Sequence, residues 1–349
     1  MTSLNARPSR RTPQLSVRSR VRLWFLRWLI RPLLAMILRG GPQRVARAQL
    51  KVAERGADRL DGISWGYDYF GDDESVVPGH FIGRPFDESG EPVLLWLHGG
   101  AFVLPAMPEG HLTFAARVCE SLTGSAFLPD YRLAPAHPFP AGLDDSEAAY
   151  RLLLDAGIST RRIVVGGESA GGNLVVALLQ RLARKGLPMP NCAIAVSPAL
   201  DLARLHGAPA RSLNASCDAM LPATALAHAL EYYLNGGDAS NPEVSPLLGD
   251  VSGLPPTFIV ASDVEFLRDD SIHFAQRLTR AGVTNELMLW TDLPHAFPLL
   301  EDWFPEARQA REDMTAFIRE QLGEEKDIGS GDGHNGGNTA ANHVGEKRS

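Results

Sequence analysis

Four stretches of this sequence place reactive side chains where acyl-transfer chemistry needs them. Ser169 lies in Gly167-Glu168-Ser169-Ala170-Gly171, a G-x-S-x-G pattern that follows an apolar run and opens a leucine-spaced helix. A hydroxyl nucleophile held between a strand and a helix sits on a cramped turn, so small residues must flank it. The start of the helix adds positive potential beside a developing oxyanion. His98-Gly99-Gly100-Ala101-Phe102 follows a second apolar run, residues 93–97. Little side-chain bulk lets backbone N–H groups turn toward an oxyanion there. The amides of Gly100, Ala101 and Ala170 are the expected donors, with His98 and Gly99 opening the motif. His295, in Leu293-Pro294-His295-Ala296-Phe297, comes shortly after the last apolar run and is the expected general base. A carboxylate must accept the imidazole Nδ1–H, fix its tautomer and stabilise the imidazolium. Asp263, Glu265, Asp269 and Asp270 follow the run 258–262. Only Asp263 and Glu265 sit just beyond its tip, and both remain candidates. Asp269 and Asp270 read as the first turn of the next helix, where acids suit the dipole.

Positioning these groups takes a scaffold of alternating elements. Short β-branched runs bounded by Gly, Pro and Asp predict strands over residues 65–70, 76–82, 93–98, 125–130, 163–166, 193–197, 258–262 and 287–290. Helical patterns over 112–121, 143–155, 170–185 and 271–281 separate the later ones. This alternation predicts an α/β fold with a mostly parallel, eight-stranded sheet and helices on both faces. The first two strands, joined at Gly71-Asp72-Asp73, suggest an antiparallel hairpin at one edge. Almost 60 residues separate the strand ending near Pro198 from the one starting near Thr257. That is too long for a plain loop, and with its helical run 224–234 it reads as a lid insertion at about 200–240. The expected organisation is a basic helical arm or lid over 1–55, a catalytic domain over 56–322 and a disordered Gly/Asn/charge-rich tail over 323–349.

Charge is distributed unevenly. The 349 residues carry a net charge of −7, but residues 1–55 alone hold thirteen Arg and Lys against a single acid, Glu54. The remainder is at −19, which argues against nucleic acid as a partner because it would repel phosphates. Only the arm could seek an anionic surface. Its most apolar stretch, 21–38, is interrupted by Arg22, Arg27, Arg31 and Pro32, so it makes a poor membrane span and a poor signal peptide. Leu23, Leu26, Ile30, Leu33, Leu34 and Ile37 fall at helical spacing and mark one apolar face. Two readings follow: a lid helix lying on the catalytic body, or a basic, Trp-bearing helix resting on a membrane surface. The three cysteines, Cys119, Cys192 and Cys217, form no CxxC and no disulfide framework, and read as buried small apolar residues in a reducing compartment. The expected location is cytoplasmic, peripheral to a membrane under the second reading of the arm. HExxH, close metal-ligand clusters, phosphate loops and dinucleotide fingerprints are absent, so neither metal nor cofactor is expected.

The order nucleophile, acid, base (169, then 263 or 265, then 295) is that of α/β-hydrolases and differs from those of chymotrypsin-like and subtilisin-like enzymes. At these residues the sequence resembles the hormone-sensitive-lipase-like branch of that superfamily, the bacterial family IV esterases. The likeness runs from about Val93 to Phe317. It is carried by WLHGGAF at 96–102, DYRLAPAHPFPAGLDD at 130–145, GESAGG at 167–172, SPLL at 245–248, SGLPPTFIVASD at 252–263 and DLPHAF at 292–297. The resemblance implies a cofactor-independent serine carboxylesterase acting on short- to medium-chain acyl esters. It places Ser169, Glu265 and His295 in the triad positions, because Glu265-Phe266-Leu267-Arg268-Asp269 matches the family's D-P-L-R-D; Asp263 is the alternative acid. It also allows a homodimer. Three residues depart from the family pattern: Glu265 for Asp, Ala101 for the third Gly of HGGG, and Glu168 for the Asp before the nucleophile. The run Asp130-Tyr131-Arg132 reads as scaffold for the oxyanion loop. An amidase or N-deacetylase, or a membrane-associated lipase, would use the same triad. A non-catalytic ligand-binding relative would have no need of an intact Ser/acid/His set.

Overall fold

The structure, a computed structural model, describes residues 9–53, 64–72, 75–83, 86, 90–205 and 209–323. Residues 324–349, nearly all of the segment expected to be disordered, lie outside the described residues, as do 54–63 between the arm and the body. Nine strands form one sheet: β1 (Ser9–Arg11), β2 (Trp65–Asp72), β3 (Ser75–Ile82), β4 (Val93–Leu97), β5 (Ser125–Pro129), β6 (Ile163–Glu168), β7 (Cys192–Val196), β8 (Thr257–Ser262) and β9 (Asn285–Trp290). Their spatial order is β1-β9-β8-β7-β6-β4-β5-β3-β2. From β4 through β9 neighbouring strands run parallel, and β2 and β3 form the expected antiparallel hairpin at one edge.

All eight expected strands are present, and the count of eight is corrected by β1. Ser9, Arg10 and Arg11 pair in parallel with Met288, Leu289 and Trp290, extending the sheet from within the arm. Three polar, exposed residues carry no hydrophobic period. Their strand character comes from main-chain pairing with an otherwise open edge, which side-chain patterns do not report.

The central strands are buried on both faces and therefore read as continuous apolar runs. Along β4, Val93, Leu95 and Leu97 enter the core on one side of the sheet, while Leu94 and Trp96 enter the core on the other. The first core is closed by α5 (Ala141–Asp155), α6 (Ala170–Lys185) and α9 (Arg268–Arg280). The second is closed by α4 (Thr113–Leu122) and α10 (Pro305–Leu322). The remaining helices, α1 (Val17–Phe25), α2 (Arg31–Arg39), α3 (Pro42–Ala53), α7 (Pro209–Cys217) and α8 (Ala223–Leu234), come from the arm and from the segment between β7 and β8.

In the arm, a π turn at Leu26–Ile30 separates α1 from α2, and Pro32 falls in the first turn of α2, where it is tolerated. The inserted residue rotates the face expected from a continuous helix. Leu26 and Leu38 are buried, whereas Leu33, expected on the inward face, is exposed. Arg22, Arg27 and Arg31, which break the apolar run in sequence, reach back to the carbonyls of Trp303, Cys217 and Ala215. The last two belong to the final turn of α7, whose carbonyls lack helical donors. Cys119 and Cys192 are buried as expected; Cys217 is exposed, a correction explained by its place at the open end of α7.

Candidate active site

Because β4, β6, β8 and β9 are parallel, the loops that follow them open on the same rim of the sheet. Ser169 occupies the junction between β6 and α6 at φ 57°, ψ −117°, a conformation that side-chain-bearing residues rarely adopt. The flanking glycines are explained by contact. A Cβ on Gly171 would press into the Leu97 and His98 carbonyls, and one on Gly167 would lie 2.5 Å from the Leu97 carbonyl oxygen. The β6–α6 junction therefore packs directly against the end of β4.

After β4 the chain turns through three residues of positive φ: Gly100 (118°), Ala101 (55°) and Phe102 (63°). Ala101 thus holds a conformation that glycine adopts at lower cost, by about 1 kcal/mol. The turn is held from behind. Tyr131 donates to the His98 carbonyl at 2.6 Å and stacks on the His98 ring at 4.2 Å. Phe102 stacks on Tyr233 of α8 at 3.8 Å. The scaffold reading of the 130–132 run thus has a concrete contact in Tyr131, while Arg132 pairs with Asp145. Burial, with His111 nearby, drives the His98 pKa down to about 3, so His98 stays neutral.

His295 is buried, with Nδ1 3.0 Å from Glu265 Oε2. Its Nε2 has no hydrogen-bond partner. Burial works against an imidazolium here, but the bond to Glu265 and that carboxylate's charge outweigh it, so the pKa of His295 lies above its ordinary 6.5. Burial raises the Glu265 carboxyl, and the imidazole opposes that rise. Asp263 points elsewhere: its Oδ1 accepts the Asp292 N–H at 3.2 Å. Asp269 and Asp270 fall in the first turn of α9, as expected.

Ser169, His295, Gly100, Ala101 and Ala170 line one cavity of about 180 Å³. Leu34 and Leu38 from α2, Val52 from α3, and Leu226, Ala229 and Leu230 from α8 complete its apolar wall. Ala170 is the first residue of α6, so its N–H has no partner within the helix. Such a cavity can present a hydroxyl, an unoccupied imidazole nitrogen and inward amides to one carbonyl carbon. Among the described residues no group of three or more His, Cys, Asp or Glu side chains could hold a metal ion.

Several supporting groups had no signature in the sequence. Glu168, the residue before Ser169, accepts from Trp96 Nε1 at 3.0 Å and from the Gly99 N–H, and meets His111 Nε2 at 2.6 Å. Burial works against a charged His111, but Glu168 beside it prevails and raises its pKa. In the sequence Glu168 stands out only as a departure from the family's Asp before the nucleophile, which does not name the buried partners that it requires. Replacing Glu168 with alanine would strand three donors. The expected result is a loss of about 3–5 kcal/mol in urea unfolding and a fall in kcat of about a hundredfold as the Gly99–Ala101 turn loosens. A variant matching the parent in both would remove this role.

The acid loop is braced as well. The Ser197 hydroxyl accepts the Ala296 N–H at 3.2 Å and is hydrogen-bonded to the Glu265 carboxylate. Asn214 of α7 donates to the Glu265 carbonyl at 2.9 Å. Asp218 accepts the Phe266 N–H at 2.9 Å, and Arg211 of α7 forms a buried ion pair with Asp270. Part of the expected lid insertion therefore grips the loop that carries Glu265.

Comparison with known proteins agrees with this architecture. A family profile described as the α/β hydrolase fold matches residues 94–299. The chain is 36% identical over 241 residues to an acetyl-hydrolase of Streptomyces hygroscopicus, covering 69% of this chain and 79% of that protein. It is 34% identical over 230 residues to an esterase of Acinetobacter venetianus, covering 66% and 75%. The crystal structure of an esterase from the bacterial hormone-sensitive lipase family superposes with a TM-score of 0.74 at 30% identity, over 89% of this chain and all of that one. With the sheet order and the rim arrangement described above, these likenesses place the chain in the hormone-sensitive-lipase-like family of α/β-hydrolase esterases.

Proposed function

We propose that the chain hydrolyses short- to medium-chain carboxylic esters through an acyl-enzyme on Ser169, with His295 as general base and Glu265 as its orienting acid. The observation that carries this reading is the His295–Glu265 pair, whose imidazole lines the same cavity as Ser169 and keeps its Nε2 without a hydrogen-bond partner. Ser169 Oγ attacks the ester carbonyl carbon while His295 Nε2 takes its proton. The oxyanion is met by the amides of Gly100, Ala101 and Ala170. Collapse breaks the carbonyl–alkoxy bond, and the imidazolium returns its proton to the departing alcohol. Water then gives its proton to Nε2 as it attacks the acyl carbon. The tetrahedral intermediate releases the carboxylic acid and restores Ser169. The wall of Leu34, Leu38, Leu226 and Leu230 suits an apolar acyl chain, and the likeness to esterases supports an ester over an amide substrate.

A series of nitrophenyl esters of increasing acyl length tests this. Turnover should rise from acetate to mid-length chains and then fall as the wall is filled. In kcat/KM the activity should drop on the acid side, because protonated His295 cannot accept the Ser169 proton. With the His295 pKa raised, that limb should lie above 6.5 and plateau at higher pH. Folded protein that turns over no ester, or a profile flat through that region, would rule the reading out.

A further inference from the structure

Residues 9–53 contain eleven Arg and Lys and no Asp or Glu. The arm buries one face through Leu26 of the π turn and Leu38 of α2, and α2 lines the cavity through Leu34 and Leu38. The opposite face is apolar too. Val17, Val21, Trp24 and Trp28 recur at intervals of four, three and four, one above the next along the helix. The π turn inserts one residue, and the stripe resumes at Leu29, Leu33 and Met36 with the same spacing. These seven side chains are 47–77% exposed. Scattered exposed apolar residues are ordinary, whereas a continuous stripe bearing two tryptophans is an interaction surface. Arg18 and Arg20, both exposed, flank it.

We propose that this outward face of α1 and α2 docks on an anionic lipid bilayer. Charge decides between a bilayer and a second copy of the chain. A two-fold dimer through this face would set one acid-free basic surface against another, whereas an anionic bilayer complements it. Tryptophan and arginine suit the headgroup boundary, where apolar side chains enter about 5–10 Å and guanidinium groups stay with the phosphates. Residues 56–349, at −19, are repelled by the same bilayer wherever they come within about a Debye length of it, which favours the arm as the face that lands. Among the described residues no helix is long and apolar enough to cross a membrane, so the contact is a surface one. Since α2 also supplies Leu34 and Leu38 to the cavity wall, docking sets that wall against the lipid. On the ester-hydrolase reading, this gives the site access to esters dissolved in the bilayer.

The test is co-sedimentation of the full chain with sucrose-loaded vesicles, of phosphatidylcholine alone or with about 30% phosphatidylserine. The expected partition coefficient is at least about tenfold higher on the anionic vesicles, and falls as salt shortens the Debye length. Trp24→Glu/Trp28→Glu should lower it by about a hundredfold. Arg18→Gln/Arg20→Gln should lower it by about thirtyfold on anionic vesicles and not on neutral ones. Ser169→Ala should bind like the parent, and the tryptophan variant should hydrolyse water-soluble nitrophenyl acetate at the parent rate, so docking and hydrolysis fail separately. Absence of binding to anionic vesicles, binding indifferent to lipid charge, or a tryptophan variant that binds like the parent would overturn the proposal. So would a parent dimer that this variant splits without any vesicle binding, which would assign the face to a second copy.

Discussion

Replacing Ser169 with alanine is expected to lower kcat on nitrophenyl esters by about 10⁶-fold, or roughly 8 kcal/mol of transition-state stabilisation. The loss is large because the three groups act as a unit: without Oγ no acyl-enzyme forms, and the base on His295 has no proton to move. A residual rate of about 10³–10⁴ over water should persist, since the amides of Gly100, Ala101 and Ala170 still polarise a bound carbonyl. Stability should hardly change. Alanine keeps the Cβ and inherits the same positive φ at the β6–α6 junction, so the strain there stays as it was. Steady-state turnover, with a parallel thermal melt, checks both halves. A folded alanine variant keeping more than about 1% of parent activity would remove Ser169 from the reaction.

The second large effect separates the two acids. Glu265→Gln should lower kcat by about 10⁴-fold without disturbing the fold, because the amide offers a donor where His295 Nδ1–H needs an acceptor. The imidazole then carries its proton on Nε2 and cannot take one from Ser169. With the carboxylate gone, burial is the dominant influence left on His295, so whatever activity remains should show its acid limb at lower pH than the parent. Asp263→Asn should stay within about tenfold, since that side chain serves the Asp292 amide at the surface. If the two substitutions exchanged their effects, Asp263 would be the acid and the arrangement around Glu265 merely structural.

The central sheet was legible because β4, β6 and β8 are buried on both faces, and burial writes itself as short apolar runs such as VLLWL, IVV and FIVA. Ser169 and His98 were legible because each sits next to one of these runs, and His295 because it comes shortly after the last strand. Asp263 and Glu265 were not separable by spacing. Two residues apart beyond the same strand tip, they differ only in the direction their side chains take, which the loop decides through Ser197, Asn214 and Asp218. The pairing of Glu168 with His111 spans 57 positions and leaves no local mark. The strand Ser9–Arg11 was invisible for the opposite reason: its pairing with β9 is made by the main chain, which no side-chain pattern reports. The π turn at Leu26–Ile30 also escaped notice, because one extra residue shifts a helical pattern without erasing it.

Arg27 and Arg31 hold the last turn of α7, and α7 in turn holds the loop bearing Glu265. The roof of the cavity is consequently linked to the His295–Glu265 pair beneath it. Chimeras that exchange only the covering helices between relatives would sever this linkage even where every reacting group is retained. The transplantable unit is the arm, α7 and the 263–270 loop together, whereas single substitutions at wall positions such as Leu226 or Leu230 of α8 leave these contacts in place.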